Sequence, residues 1–129
     1  MGNHVMFGTL TIESNRIIKQ TALAYAMFDG YPVTHGHVLI VPKRIEASYF
    51  KLSKEEKTAM FELVKDMKDY LDEHYKPAGY NIGWNDGITA GQTIMHCHIH
   101  VIPRYRGDMD DPRGGVRGVI PHKQKYGGE

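Results

Sequence analysis

At 129 residues the chain is sized for one domain, and its 41% hydrophobic and 24% charged content suits a globular protein that buries a core without disulfides. The formal net charge of +1 excludes a global field that would hold the protein on nucleic acid or an anionic membrane. A single cysteine, Cys97, excludes an internal disulfide and points to a reducing, cytoplasmic setting; residues 1–10 lack the apolar run of a signal peptide, and no stretch is long and apolar enough to span a bilayer.

Residues 9–12 and 16–19 read as two short strands around a turn at Ser14-Asn15. Residues 22–28 form a third, apolar and aromatic strand that ends at the turn signal Asp29-Gly30. Residues 38–41 are a continuous β-branched and leucine run, read as a buried strand closed by Pro42. Ser53 and Glu56 then make an S-x-x-E capping box. Met60, Leu63, Val64, Met67 and Leu71 recur behind it at helical spacing, and Pro77 and Gly79 stop the helix. Residues 80–84 and 96–102 are two further strands, with Pro103 ending the second. Strands on either side of one long helix predict an α+β domain with a largely antiparallel sheet. Residues 1–107 carry that domain. From Asp108 to residue 129 the chain is rich in glycine, proline and charge and reads as a C-terminal arm or tail.

Three of the eight histidines fall within five residues. Side chains alternate faces along a strand, so His96, His98 and His100 share one face and Cys97, Ile99 and Val101 the other. The second set is a core face. The histidine face admits three readings. It is a polar strand surface; or a metal site, although positions i and i+4 lie about 13 Å apart on a strand and all three rings hardly reach one ion; or a nucleophilic centre. For the last, one ring nitrogen attacks phosphorus while the other donates to a fixed acceptor, and flanking rings donate to phosphate oxygens.

The run from His96 to Ile102 matches the H-φ-H-φ-H-φ-φ signature of the histidine triad (HIT) family, φ being hydrophobic. Asn85-Asp86-Gly87 followed by Ala90-Gly91-Gln92-Thr93 resembles that family's loop before the triad. The stretch Pro32-Val33-Thr34-His35-Gly36-His37-Val38-Leu39-Ile40-Val41-Pro42-Lys43-Arg44 is similar to its P-x-x-x-G-H-x-L-φ-φ-P-[KR] segment. Together they cover about residues 22–107. The resemblance implies a HIT-like fold with one long and one short helix, and a homodimer. It implies that His98 is the nucleophile, that His100 contacts the phosphate under attack, and that His96 helps hold the site with His37 behind it. It further implies that Gln92 binds phosphate or a bridging oxygen, that Asn85 lines the same pocket with Thr93 beside it, and that Asp29 accepts from the ribose hydroxyls. The substrate implied is a nucleotide or dinucleoside polyphosphate. A purine nucleoside phosphoramidase and a nucleotide-binding regulator of the same fold are the alternatives.

Many bacterial members of this family carry a C-x-x-C pair and a later His that look like zinc ligands. Here His4-Val5-Met6-Phe7 and Ile45 stand in those places, so no protein-bound metal or other cofactor is expected beyond Mg²⁺ carried with substrate. Gly91-Gln92-Thr93 before the triad, and Pro103-Arg104 with Gly107-Asp108 after it, resemble the fragile histidine triad branch. Arg104, Arg106, Arg113 and Arg117 are the expected cationic contacts for a polyphosphate.

Overall fold

The structure, a computed structural model, describes residues 5–126. Its strands are β1 (Val5–Phe7), β2 (Leu10–Ile12), β3 (Ile17–Gln20), β4 (Ala24–Phe28), β5 (Val38–Pro42), β6 (Gly79–Gly83) and β7 (Ile99–Arg104), with one α-helix, α1 (Lys54–His74). Strands β3-β4-β5-β7-β6 form an antiparallel sheet in that order, and β1 and β2 pair as a separate hairpin. The remaining helical segments among the described residues are short 3₁₀ turns, one of which, Tyr49–Lys51, leads into α1.

The apolar run of β4 and β5 is explained by the two layers that cover them. Ala24, Ala26, Val38 and Ile40 face α1 and meet its Met60, Leu63, Met67 and Leu71. Tyr25, Met27, Leu39 and Val41 point the other way and meet Val5, Phe7 and Ile12 of the hairpin. Each large side chain buried this way stabilises the fold by roughly 1.5–3 kcal/mol. Cys97, Ile99 and Val101 join the α1 side, as their alternation requires. Helix α1 starts as the sequence predicts: Ser53 Oγ accepts from the Glu56 N–H at 3.0 Å, and Glu56 Oε1 accepts from the Ser53 N–H at 2.8 Å.

Three local readings change. Residues 9–12 and 16–19 do not pair with each other. Strand β2 pairs with β1, which the sequence reading did not include, while β3 joins the main sheet after a 3₁₀ turn at Ser14–Arg16. Gly8, at φ +62°, makes the tight turn that lets Val5, Phe7 and Ile12 all face the sheet. Regular pairing of the histidine strand begins at Ile99, since the Cys97 N–H is held by the Glu46 carbonyl at 2.7 Å. Pro103 lies inside β7 rather than ending it. The β5 ladder stops at Val101, so Pro103 is flanked by β6 alone and its missing N–H breaks no central bond.

Residues 108–126 fold back on the domain. They carry 3₁₀ turns at Gly115–Val119 and Pro121–Lys123. Arg117 donates to the Gln124 and Lys123 carbonyls and stacks on Tyr126, and Gln124 donates to the Arg113 carbonyl.

Candidate active site

The face of the sheet opposite α1 is shared by three features. The hairpin covers the β4–β5 side, the histidines lie in the middle, and residues 108–126 cover the β7–β6 side. Asp29 follows Met27 by two residues and extends the hairpin side of this face. Its backbone N–H bonds to the His37 carbonyl, and its Oδ1 accepts from the Tyr31 N–H at 2.8 Å. Its Oδ2 stands 3.4 Å from His37 Nε2.

The ring nitrogens are ordered by what surrounds them. His96 is fully buried. Its Nδ1 accepts from the Gly8 N–H at 3.0 Å, so Nε2 carries the proton and donates to the Pro42 carbonyl at 2.7 Å. The His96 carbonyl accepts from His98 Nδ1 at 2.9 Å, which fixes the His98 tautomer and leaves its Nε2 with a free lone pair. Phe7 lies edge-on to the His98 ring, 4.9 Å between centroids. His37 repeats the logic: Nδ1 accepts from the Val33 N–H at 3.0 Å, so Nε2–H donates to His100 Nδ1 at 3.0 Å. His100 therefore carries its proton on Nε2. The site presents one bare nucleophilic nitrogen next to one N–H donor.

Burial is the largest influence on all four rings and pushes each pKa below the ordinary 6.5; for His100 it reaches about 4, with His98 and His37 adding to the shift. The neighbouring Asp29 opposes the shift at His37, His98 and His100 without reversing it. All four imidazoles are neutral at neutral pH. Donor atoms of Asp29, His37 and His100 lie within 4.8 Å of one another. That set suits a cation poorly, because the Val33 N–H occupies the His37 Nδ1 lone pair and leaves a proton on Nε2.

A family model described as the HIT domain matches residues 11–107. The chain belongs to the HIT family. A bis(5'-adenosyl)-triphosphatase of Dictyostelium discoideum is 37% identical to this HIT chain over 105 residues, 81% of this chain and 70% of that one. The asymmetrical bis(5'-nucleosyl)-tetraphosphatase of Schizosaccharomyces pombe is 32% identical over 75% of this chain and 53% of its own length. The solved NitFhit protein of Caenorhabditis elegans, a nitrilase and fragile histidine triad fusion, superposes with a TM-score of 0.79 at 32% identity. It covers 91% of this chain and 28% of the fusion. The HIT chain thus resembles the fragile histidine triad branch, while spanning only about half of the yeast relative and about a quarter of the fusion protein.

Of the residues singled out in the sequence, Asp29, His37, His98 and His100 come together in the HIT site. Asn85 lines the same cavity as His37 and His100. His96 does not reach that space and acts behind His98. The Gln92 amide ties its loop to the segment before α1: Oε1 accepts from the Gly87 N–H, and Nε2 donates to the Ala47 and Ile94 carbonyls. Thr93 is exposed beside it. Ile45 is exposed, and His4 lies outside the described residues. The arginines differ from expectation. Arg104 is paired with Asp108, Arg113 with Asp111, and Arg117 with arm carbonyls, so three of the four pin the arm. Sequence reading missed the Gly8 and Val33 N–H groups and the Pro42 carbonyl. These are backbone groups, which leave no mark in residue identity.

Proposed function

We propose that this chain is a nucleotide hydrolase that splits a phosphoanhydride bond of a dinucleoside polyphosphate through a nucleotidyl-histidine on His98. The observation that carries the reading is the ring pair: a bare His98 Nε2 held by the His96 carbonyl, with the His100 Nε2–H beside it. The His98 Nε2 lone pair forms an N–P bond to the α-phosphorus, and the P–O bond to the remaining phosphates breaks with its electrons on the leaving oxygen. The Nδ1–H bond to the His96 carbonyl steadies the positive charge this creates on the ring. His100 donates to the phosphate oxygens while their charge grows, a role worth roughly 10²–10³ in rate when one such donor is removed elsewhere. Water then attacks phosphorus, the N–P bond breaks, and a nucleoside monophosphate leaves. The ribose hydroxyls bind Asp29, whose carboxylate has acceptor capacity beyond its bond from Tyr31.

No protein-bound metal takes part in this reading; Mg²⁺ arrives with substrate. Residues 1–107 carry the chemistry, and residues 108–126 lie against it as an arm. The protein acts as a homodimer joined at β6, an outer strand of the sheet with Ile82 exposed and the exposed Phe50 and Phe61 packed near Trp84. No helix among the described residues is long and apolar enough to cross a membrane. With the buried free thiol of Cys97, that supports a cytoplasmic setting.

The test is covalent trapping. Labelled diadenosine triphosphate is added, the reaction is quenched in base, and the adduct is mapped. Label is expected on His98, with turnover abolished in His98→Ala. Label elsewhere, or activity in His98→Ala, overturns the reading.

A further inference from the structure

Past His100 the histidine face continues along β7 through Ile102 to Arg104, with Gly83, Asn81 and Gly79 opposite on β6. Residues 109–124 lie over this stretch and wall an open cavity of about 810 Å³, with His100 and His37 on one side and the arm on the other. The lining is mostly apolar: Val33, Ile82, Trp84, Ile102, Val116 and Val119. Its one guanidinium is neutralised. Arg104 Nε and Nη2 grip both oxygens of Asp108 at 2.8 and 2.7 Å, and Nη1 donates to Asn81 Oδ1 at 2.7 Å. The Gln124 amide nitrogen is taken by the Arg113 carbonyl. A cavity beside a phosphate site that carries no uncompensated positive charge is built for a neutral group at the far end of the phosphates, not for the phosphates themselves.

We infer that this arm-walled cavity receives the nucleoside of the leaving nucleotide, so that residues 109–124 select substrates capped at both ends. The inference rests on the function proposed above. Substrate leaves the attacked phosphorus in two directions. Asp29 takes the ribose on the β4 side of the histidines, and the cavity opens on the β6 side. The exposed Val116 and Val119, with Ile102 on the sheet, offer apolar surface to a base, and Asn85 lines the same space as His100.

Gly114 allows the wall to be moved without substituting a lining residue or a histidine. It sits at φ +89°, and a Cβ there would run into the backbone carbonyl of Gln124. Gly114→Val therefore unseats the arm. The experiment compares kcat/KM for diadenosine triphosphate with that for adenosine 5'-phosphoramidate, whose leaving group is only ammonia. The expected result is a loss of tenfold or more for the dinucleotide, chiefly in KM, with the phosphoramidate within twofold of wild type. An equal loss for both substrates, or for neither, overturns the inference. Val119→Asp, which puts a carboxylate on the wall, is expected to cause the same selective dinucleotide loss if Gly114→Val fails to fold; no selective loss there overturns the inference. Calorimetric titration of His98→Asn with diadenosine triphosphate and with AMP separates this from the proposed function. Gly114→Val in that background is expected to weaken the dinucleotide alone, and equal affinities in the two backgrounds overturn the cavity assignment even where turnover supports the hydrolase. A wild type that turns over the phosphoramidate but not the dinucleotide, with this binding difference intact, overturns the hydrolase and leaves the cavity standing.

Discussion

Around the histidines, ring nitrogens are bonded to backbone groups or to one another, whereas residues 108–126 are held by guanidinium groups near the surface. The first kind of bond lies out of reach of salt and, at neutral pH, involves no net charge. It fixes tautomers and costs no reorganisation when substrate arrives. The second kind is weaker, screened and easily remade. The reactive half of the site is thus preorganised, and the half that faces the leaving group is adjustable.

That contrast breaks most sharply at His37. Its ring receives the Val33 N–H and hands a proton to His100, so it sets the donor that faces phosphate without touching substrate. His37→Leu leaves His100 free to take the wrong tautomer and removes the acceptor of the Val33 N–H. A drop in single-turnover rate of roughly 10²-fold is expected, by analogy with the loss of a positioned proton donor. His37→Gln presents an amide near the same partners and is expected to recover part of that rate; a His37→Leu enzyme with normal chemistry would remove His37 from the relay.

The pH dependence gives a second, smaller effect. Burial holds the folded pKa values of His37, His96, His98 and His100 below 6.5, so the rings are neutral in the folded protein but charge more readily once unfolded. For a depressed pKa the stabilisation is complete above the unfolded value and lost as pH falls toward the folded one. Melting temperature should therefore hold above pH 6.5 and decline toward pH 4, the region set by His100. Turnover should fall on the same acid side, because a protonated His98 has no lone pair to give. A rate that rises on acidification would mean that the active form of the site is the cation.

The legibility of the sequence follows the same division. The alternation of His96 to Val101, the Ser53–Glu56 box and the stripe from Met60 to Leu71 are side-chain patterns, and the structure places them as they read. Strand β1 was not legible, because three residues are too few to show a period and the hairpin is defined by Gly8 turning back. Gln92 was read as a phosphate ligand from its place in the loop. In the structure its amide binds Gly87 and Ile94 of that loop and the distant Ala47 carbonyl, a use that identity alone does not distinguish from ligand binding. The arm arginines were read as charge offered outward. Their partners Asp108 and Asp111 are four residues on and two residues back, close enough to have been weighed as local pairs.

The smallest expected effect is in the arm itself, where salt separates two kinds of pair. Asp111 is met by Arg113 at 2.9 Å and by Lys125 at 3.0 Å, with much of the Arg113 side chain in water. At 1 M salt the screening length is about 3 Å, comparable with those distances, so this cluster loses most of its attraction. Arg104 and Asp108 form a two-pronged pair with side chains 24% and 20% exposed, and the fixed geometry resists the same screening. Hydrogen exchange followed by mass spectrometry reads the difference directly. Raising salt to 1 M should speed exchange of the Gly115–Val119 amides by a few-fold, while β5 and α1 keep their protection. Asp111→Asn at low salt should reproduce the change, since it removes the same attraction without altering the solvent. Arm amides that exchange at one rate in both salts and in the variant would show that glycine packing against Gln124, not charge, holds the arm in place.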